Sequence, residues 1–135
     1  MVCVYLPTDY GSATSHEDFL LALGELKGFI CSQSFDSLVI IGDFNVDFNR
    51  GDRNCVQLLE FMAEYALTAV DLGYRSRINF TYENSDGSVT SWLDHVLTSQ
   101  SSALHCLNVS KLDITVIFLI ITPFLFCLNF QPAML

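Results

Sequence analysis

The sequence predicts an α/β layered domain, and three observations carry that prediction. Leu38-Val-Ile-Ile41 is a continuous apolar run that stops at Gly42, the mark of a buried strand. Phe19, Leu23, Leu26 and Ile30 recur at helical spacing ahead of it, and a second periodic segment follows it. Phe80-Thr81-Tyr82 and Ser91 to Leu97 then read as strands on either side of a Ser85-Asp86-Gly87 turn. The order strand, helix, strand, helix, strands is that of a layered α/β core.

Each element has a local reason. Val2 to Leu6 is a short apolar run closed by Pro7, a strand that begins almost at Met1. Thr8 to Thr14 is a polar loop. Ser15-His16-Glu17-Asp18 has the form of a capping box, which puts Glu17 and Asp18 in a first helical turn where carboxylates favour the dipole. Ser37 to Ile41 is the buried strand, and Gly42 to Asn54 is a loop rich in Asp, Asn, Arg and Gly. Val56, Leu59, Ala63 and Ala66 predict the apolar face of the second helix, with Phe61 and Tyr65 flanking it, and Ala69 to Leu72 predicts a short strand.

At 135 residues with 51% hydrophobic content, the chain is sized for one domain with a real core. Its net charge of −9, with six Lys and Arg, argues against tight unaided binding to a phosphate backbone. It leaves room for a divalent cation, which carboxylates attract and which can carry a phosphate contact. Cys3, Cys31, Cys55, Cys106 and Cys127 are scattered with no Cys-x-x-Cys pair, the pattern of reduced intracellular thiols. The N-terminus lacks the form of a secretory signal, so the location expected is intracellular, nuclear or cytoplasmic.

The chemistry concentrates where the buried strand ends. Asp43 and Asn45 are two positions apart, so an extended backbone delivers a carboxylate and a carboxamide to one side. Such a pair can activate a water and hold a phosphate oxygen. Gly-Asp-x-Asn is also a good Asx-turn. Tyr5 and Trp92 are by default core aromatics, Thr81 fits any strand, and Asp94 alone is a strand carboxylate. His16 and His105 have no partners at metal-ligand spacing and read as surface residues.

Val4-Tyr5-Leu6-Pro7-Thr8, Ile41-Gly42-Asp43-Phe44-Asn45 and Ser91-Trp92-Leu93-Asp94-His95-Val96-Leu97 occur in that order. Together they resemble the endonuclease/exonuclease/phosphatase superfamily, in detail the endonuclease domain of LINE-type retrotransposons. The resemblance covers about residues 2 to 100 and implies a partial four-layered α/β sandwich lacking its N-terminal half. It implies a Mg²⁺-assisted hydrolysis of DNA phosphodiesters in intact relatives. Tyr5 falls on a phosphate-contacting tyrosine, Asp43 on the aspartate that orients or deprotonates the attacking water and acts on the metal indirectly. Asn45 falls on the asparagine that bonds the scissile phosphate, and Thr81 on a hydroxyl facing the nucleic acid. Asp94 falls on the aspartate that orients a later catalytic histidine, with His95 as a structural neighbour.

Two departures bear on activity. The metal-binding glutamate and early asparagine of the family belong to an N-terminal half that is absent, and many relatives have asparagine where Cys3 stands. The Ser-Asp-His motif is also missing, and an apolar tail over 101–135 occupies its place. Phe118-Leu-Ile-Ile-Thr-Pro123 can be encoded by TTT CTG ATC ATA ACC CCC, which from its third base reads Ser-Asp-His-Asn-Pro, so a frame slip is one origin for the tail. The expectation is therefore an inactive fragment of a metal-dependent endonuclease domain, with weak or no nucleic-acid binding. The alternative is a non-catalytic small protein anchored in a membrane through 114–130, where Ile114 to Phe130 is almost wholly apolar around Pro123.

Overall fold

The computed structural model describes residues 1–74, 80–99, 108–112, 115–119 and 126–127. Strand β1 (Val2–Tyr5) leads to helix α1 (Ala13–Cys31), then to β2 (Val39–Asp43), α2 (Arg53–Glu64) and β3 (Leu67–Ala69). A 3-10 turn over Val70–Tyr74 follows, then β4 (Tyr82–Glu83), β5 (Thr90–Ser91) and β6 (Asp94–Ser99). Beyond these lie β7 (Asn108–Leu112), β8 (Thr115–Leu119) and β9 (Phe126–Cys127).

The principal sheet has the order β3-β6-β2-β1-β9. β1 runs parallel to β2, β6 antiparallel to both β2 and β3, and β9 parallel to β1. β1, β2 and β3 therefore point the same way, with β6 inserted against their direction. β4 and β5 form a small antiparallel ribbon, as do β7 and β8. The mixed α/β class expected from the sequence is what the chain adopts.

One face of the sheet is covered by the two helices. Phe19, Leu23, Leu26 and Ile30 of α1, all four read from the sequence as its apolar stripe, pack with Val2, Val4, Ile40 and Leu97 in one buried cluster. The helices lie side by side in the same direction, since Asn54 meets His16 near their starts and Lys27 meets Glu64 near their ends. Period-two alternation then turns Cys3, Tyr5, Ile41, Asp43, Asp94 and Val96 to the opposite face.

The sequence reading of the second helix had the right period and the wrong phase. Val56, Leu59, Ala63 and Ala66 are exposed, whereas Cys55, Leu58 and Phe61 face the core. Asp52 sets that phase, because its carboxylate accepts the Cys55 amide at 2.9 Å and starts the helix where Cys55 points inward. Ala66 lies past the helix end with φ +51°. In α1 the cap is Ser12, whose hydroxyl accepts the Ser15 amide at 3.0 Å. Ser15 is buried inside the first turn, so Glu17 and Asp18 belong to the next one.

Three strand expectations also shift. The 69–72 segment is mostly a 3-10 turn, and its strand is Leu67–Ala69. The stretch 91–97 is two strands, because at Leu93 the carbonyl turns to the Phe44 amide (3.0 Å) and the amide to Thr81 Oγ1 (2.8 Å). The strand before the turn is confined to Tyr82–Glu83, with Thr81 ahead of it. The turn itself is as expected: the Gly87 amide donates to the Asn84 carbonyl at 3.0 Å, with Gly87 at φ +71°.

No helix among the described residues is long and apolar enough to cross a membrane. Within 114–130 the described backbone is strand, at Thr115–Leu119 and Phe126–Cys127. His105 and residues 120–123 of the proposed frame-slip segment lie outside the described residues. Cys31 and Cys55 are free thiols.

Candidate phosphodiester site

The site begins with a close approach that only glycine permits. Gly42 pairs with Val4 across the parallel β1–β2 ladder at φ +145°, and a Cβ there would lie 1.9 Å from the Val4 carbonyl oxygen. That contact brings the carboxyl ends of β1 and β2 together, the edge of an open α/β sheet where ligands bind. Tyr5 is opposite Asp43 in the β1–β2 register, and Asp43 is opposite Asp94 in the β2–β6 register. Tyr5, Asp43 and Asp94 therefore form a row across three strands on the face away from the helices. Directly opposed side chains stand about 5 Å apart at Cβ.

Asn45 joins the row through the turn that follows. Its amide donates to Asp43 Oδ1 at 2.8 Å, so the Asx-turn and the candidate catalytic pair are the same structure. Asn45 takes φ +51°, a conformation asparagine accepts more readily than most residues. Its Nδ2 donates to the Leu6 carbonyl at 2.7 Å, which fixes the carboxamide and leaves a second N–H for a ligand. Tyr5, Asp43 and Asn45 line one cleft of about 430 Å³.

Burial pushes the Asp43 carboxyl up to about 6; the Asn45 amide opposes this and the Asp94 charge adds to it. A carboxylate in that range takes and returns a proton near neutral pH. Thr81 reaches the row indirectly. Its hydroxyl oxygen accepts the Leu93 and Asp94 amides at 2.8 and 3.0 Å, anchoring the start of β6.

Beneath the row lies a polar cluster that no local motif announces. Asp71 Oδ2 accepts Trp92 Nε1 at 2.8 Å and meets His95 Nδ1 at 2.9 Å, while Oδ1 accepts the Val96 amide at 2.9 Å. His95 Nε2 donates to the Val46 carbonyl at 2.7 Å. A carbonyl only accepts, so Nε2 is a donor, while Nδ1 faces the Asp71 carboxyl, and both ring nitrogens are engaged inside the fold. His95 has no exposed surface and is not placed to act on a substrate, as its structural reading anticipated. Trp92 is buried, as a core aromatic should be. His16 is half-buried, with Nδ1 2.6 Å from Asn54 Oδ1, which corrects its reading as a surface residue.

The rest of the cleft is a set of aspartates already committed. Arg53 holds Asp9 in a two-pronged pair at 2.7 and 2.6 Å and keeps its carboxyl well below the usual range. For Asp47, burial raises the carboxyl, but the amides of Asn49 and Trp92 and the nearby Arg50 together bring it below its ordinary value. Arg50 is the cation among the described lining residues, and its guanidinium donates to Ser91 Oγ at 2.5 Å.

The model of one protein family, endonuclease-reverse transcriptase, matches residues 1–115. This chain belongs to that family, within the endonuclease/exonuclease/phosphatase superfamily. No curated protein matches it. Among solved structures, an endonuclease/exonuclease/phosphatase family protein from Bacteroides thetaiotaomicron is similar at 19% identity and TM-score 0.42, covering 70% of this chain and 33% of that one. The chain thus spans about a third of that neighbour's length.

Endonucleases and phosphatases of this superfamily generally use divalent metals. The described residues contain no group of three His, Cys, Asp or Glu side chains placed to hold one. Asp43 and Asp94 supply two neighbouring carboxylates and nothing completes a set around them, so the residues present do not fit a resident metal.

Proposed function

We propose that the Tyr5–Asp43–Asp94 row with Asn45 is the phosphate-holding part of a retrotransposon-type endonuclease centre, and that this chain alone binds a phosphodiester without hydrolysing it. The observation that carries the reading is the convergence of Tyr5, Asp43 and Asn45 on one cleft at the carboxyl ends of β1 and β2. The free N–H of Asn45 Nδ2 suits a phosphoryl oxygen, and the Tyr5 hydroxyl is a second donor at the same edge. Asp43, with its raised affinity for a proton, suits the position of a base toward water.

Turnover needs more than this. In intact relatives Mg²⁺ neutralises charge on the phosphoryl oxygens, and among the described residues no group of three His, Cys, Asp or Glu side chains is placed to hold it. Among the described residues that line the cleft there is no histidine to assist the leaving oxygen, and both nitrogens of His95 are occupied inside the fold. The family supports a nucleic-acid substrate in general, and DNA is the substrate class of this proposal. The scattered free thiols suit an intracellular, nuclear or cytoplasmic setting.

Nuclear magnetic resonance titration with a thymidine dinucleotide tests the binding claim. The Asn45 side-chain amide and the Tyr5 ring should shift together, and Asn45→Ala should abolish the response. Shifts confined to residues outside the cleft would contradict it.

A further inference from the structure

The cleft carries more exposed aromatic surface than the phosphate reading uses. Tyr10 is 84% exposed and Tyr82 46% exposed, both line the same cleft as Asp43, and Val89 beside them is 43% exposed. A single exposed ring is ordinary. Two tyrosines that present their rings on one cleft, beside Tyr5 at 48%, form a surface with apolar faces and no partner within the described fold.

We propose that Tyr10 and Tyr82 form a stacking platform for unpaired bases of a single-stranded nucleic acid whose phosphodiester lies at Tyr5 and Asn45. The inference rests on the phosphate-site reading and names the substrate form that site takes.

Charge decides between single strand and duplex. Tracking a duplex backbone needs a basic stripe, and the chain has six Lys and Arg against fifteen Asp and Glu. Within the cleft, Arg50 is the cation among the described lining residues and is already tied to Ser91 and near Asp47. Arg53 is engaged by Asp9. Of the lining aspartates, Asp9 is paired with Arg53, whereas Asp43, Asp47 and Asp52 accept only amide N–H groups and keep the cleft acidic. The cleft is left with little net pull on a phosphate chain, so ring-to-base contact is the interaction with surface to spare. Stacking tolerates any base, because every base has a π-face. Bases inside a duplex offer no such face.

Fluorescence anisotropy of the full chain with three probes tests this. They are a thymidine homo-oligonucleotide, an abasic phosphodiester strand of equal length, and a duplex of that length. The thymidine strand should bind, with the duplex about tenfold weaker or worse. Tyr10→Ala and Tyr82→Ala should each weaken thymidine-strand binding by about fivefold or more, the low end of base–aromatic stacking. Tyr10→Phe should bind as the parent does, since stacking needs the ring and not the hydroxyl. The plot of log K against log salt should be nearly flat, since no uncommitted cation in the cleft neutralises a phosphate. Equal binding of the abasic and thymidine strands would overturn the platform while leaving the phosphate site standing. Equal binding of duplex, or alanine variants that bind like the parent, would also overturn it. Failure of both single strands to bind would remove the phosphate site itself, and the platform with it.

Discussion

At the scale of single residues, Asp43 and Gly42 carry the account. Folding raises the Asp43 carboxyl from 3.8 to about 6, so between those values the folded chain holds a proton that the unfolded chain has released. Stability then falls as pH rises through that window. The contribution favouring the fold is complete below pH 3.8 and lost above about 6. Asp43→Asn, which keeps an oxygen for the Asn45 amide, should therefore raise the urea midpoint at pH 7 and leave it nearly unchanged at pH 3.5 relative to the parent. Equal shifts at both pH values would show that burial is not what moves this carboxyl. Gly42→Ala should cost about 3 kcal/mol or more, since it combines a disfavoured φ with a clash against backbone. Circular dichroism and a urea melt would read that loss.

At the scale of elements, the buried Asp71–His95 pair ties the turn after β3 and strand β6 to the loop that carries Asn45. Asp71→Ala removes the partner of Trp92 Nε1, His95 Nδ1 and the Val96 amide, and leaving these buried groups unpaired should destabilise the chain by about 3 kcal/mol or more. Replacing both members by apolar residues should cost less than the sum of the single changes, as a double-mutant cycle in urea would show. Helix α2 offers a cleaner contrast. Leu58→Ala should cost about 2–5 kcal/mol, whereas Leu59→Glu, on the exposed side, should stay within about 0.5 kcal/mol.

That contrast also explains what was legible in the chain. The α1 stripe was readable from spacing, because Phe19, Leu23, Leu26 and Ile30 recur at helical intervals even though Leu20, Leu21 and Phe29 stand beside them. In α2 the apolar residues run around the helix, with Val56, Leu58, Leu59 and Phe61 close together, and only the Asp52 cap selects which of them turn inward. Asp43, Asn45 and Tyr5 were legible as neighbours because the alternation of strands fixes their side, and the resemblance implies their role. Asp71 was not, since one carboxylate in a short apolar segment carries no local sign that Trp92, His95 and Val96 will converge on it. Tyr10 and Tyr82 were invisible as site residues for the same reason: their cleft exists only after β1, β2 and the β4–β5 ribbon assemble.

At the scale of the whole molecule, the fold builds the proposed phosphodiester site along one sheet edge and supports it from below. The helices hold β1 and β2 in register, the Asp71–His95 pair holds the Asn45 loop, and Thr81 holds the start of β6 where Asp94 sits. Each of these supports positions groups that bind or polarise, and none adds a metal ligand or a free histidine. Catalytic groups that act as a unit lose most of their effect when members are missing. The most direct test is incubation of the purified chain with supercoiled plasmid and Mg²⁺. The account predicts no conversion to the nicked form above a no-protein control. Metal-dependent nicking that disappears in Asp43→Ala would contradict it.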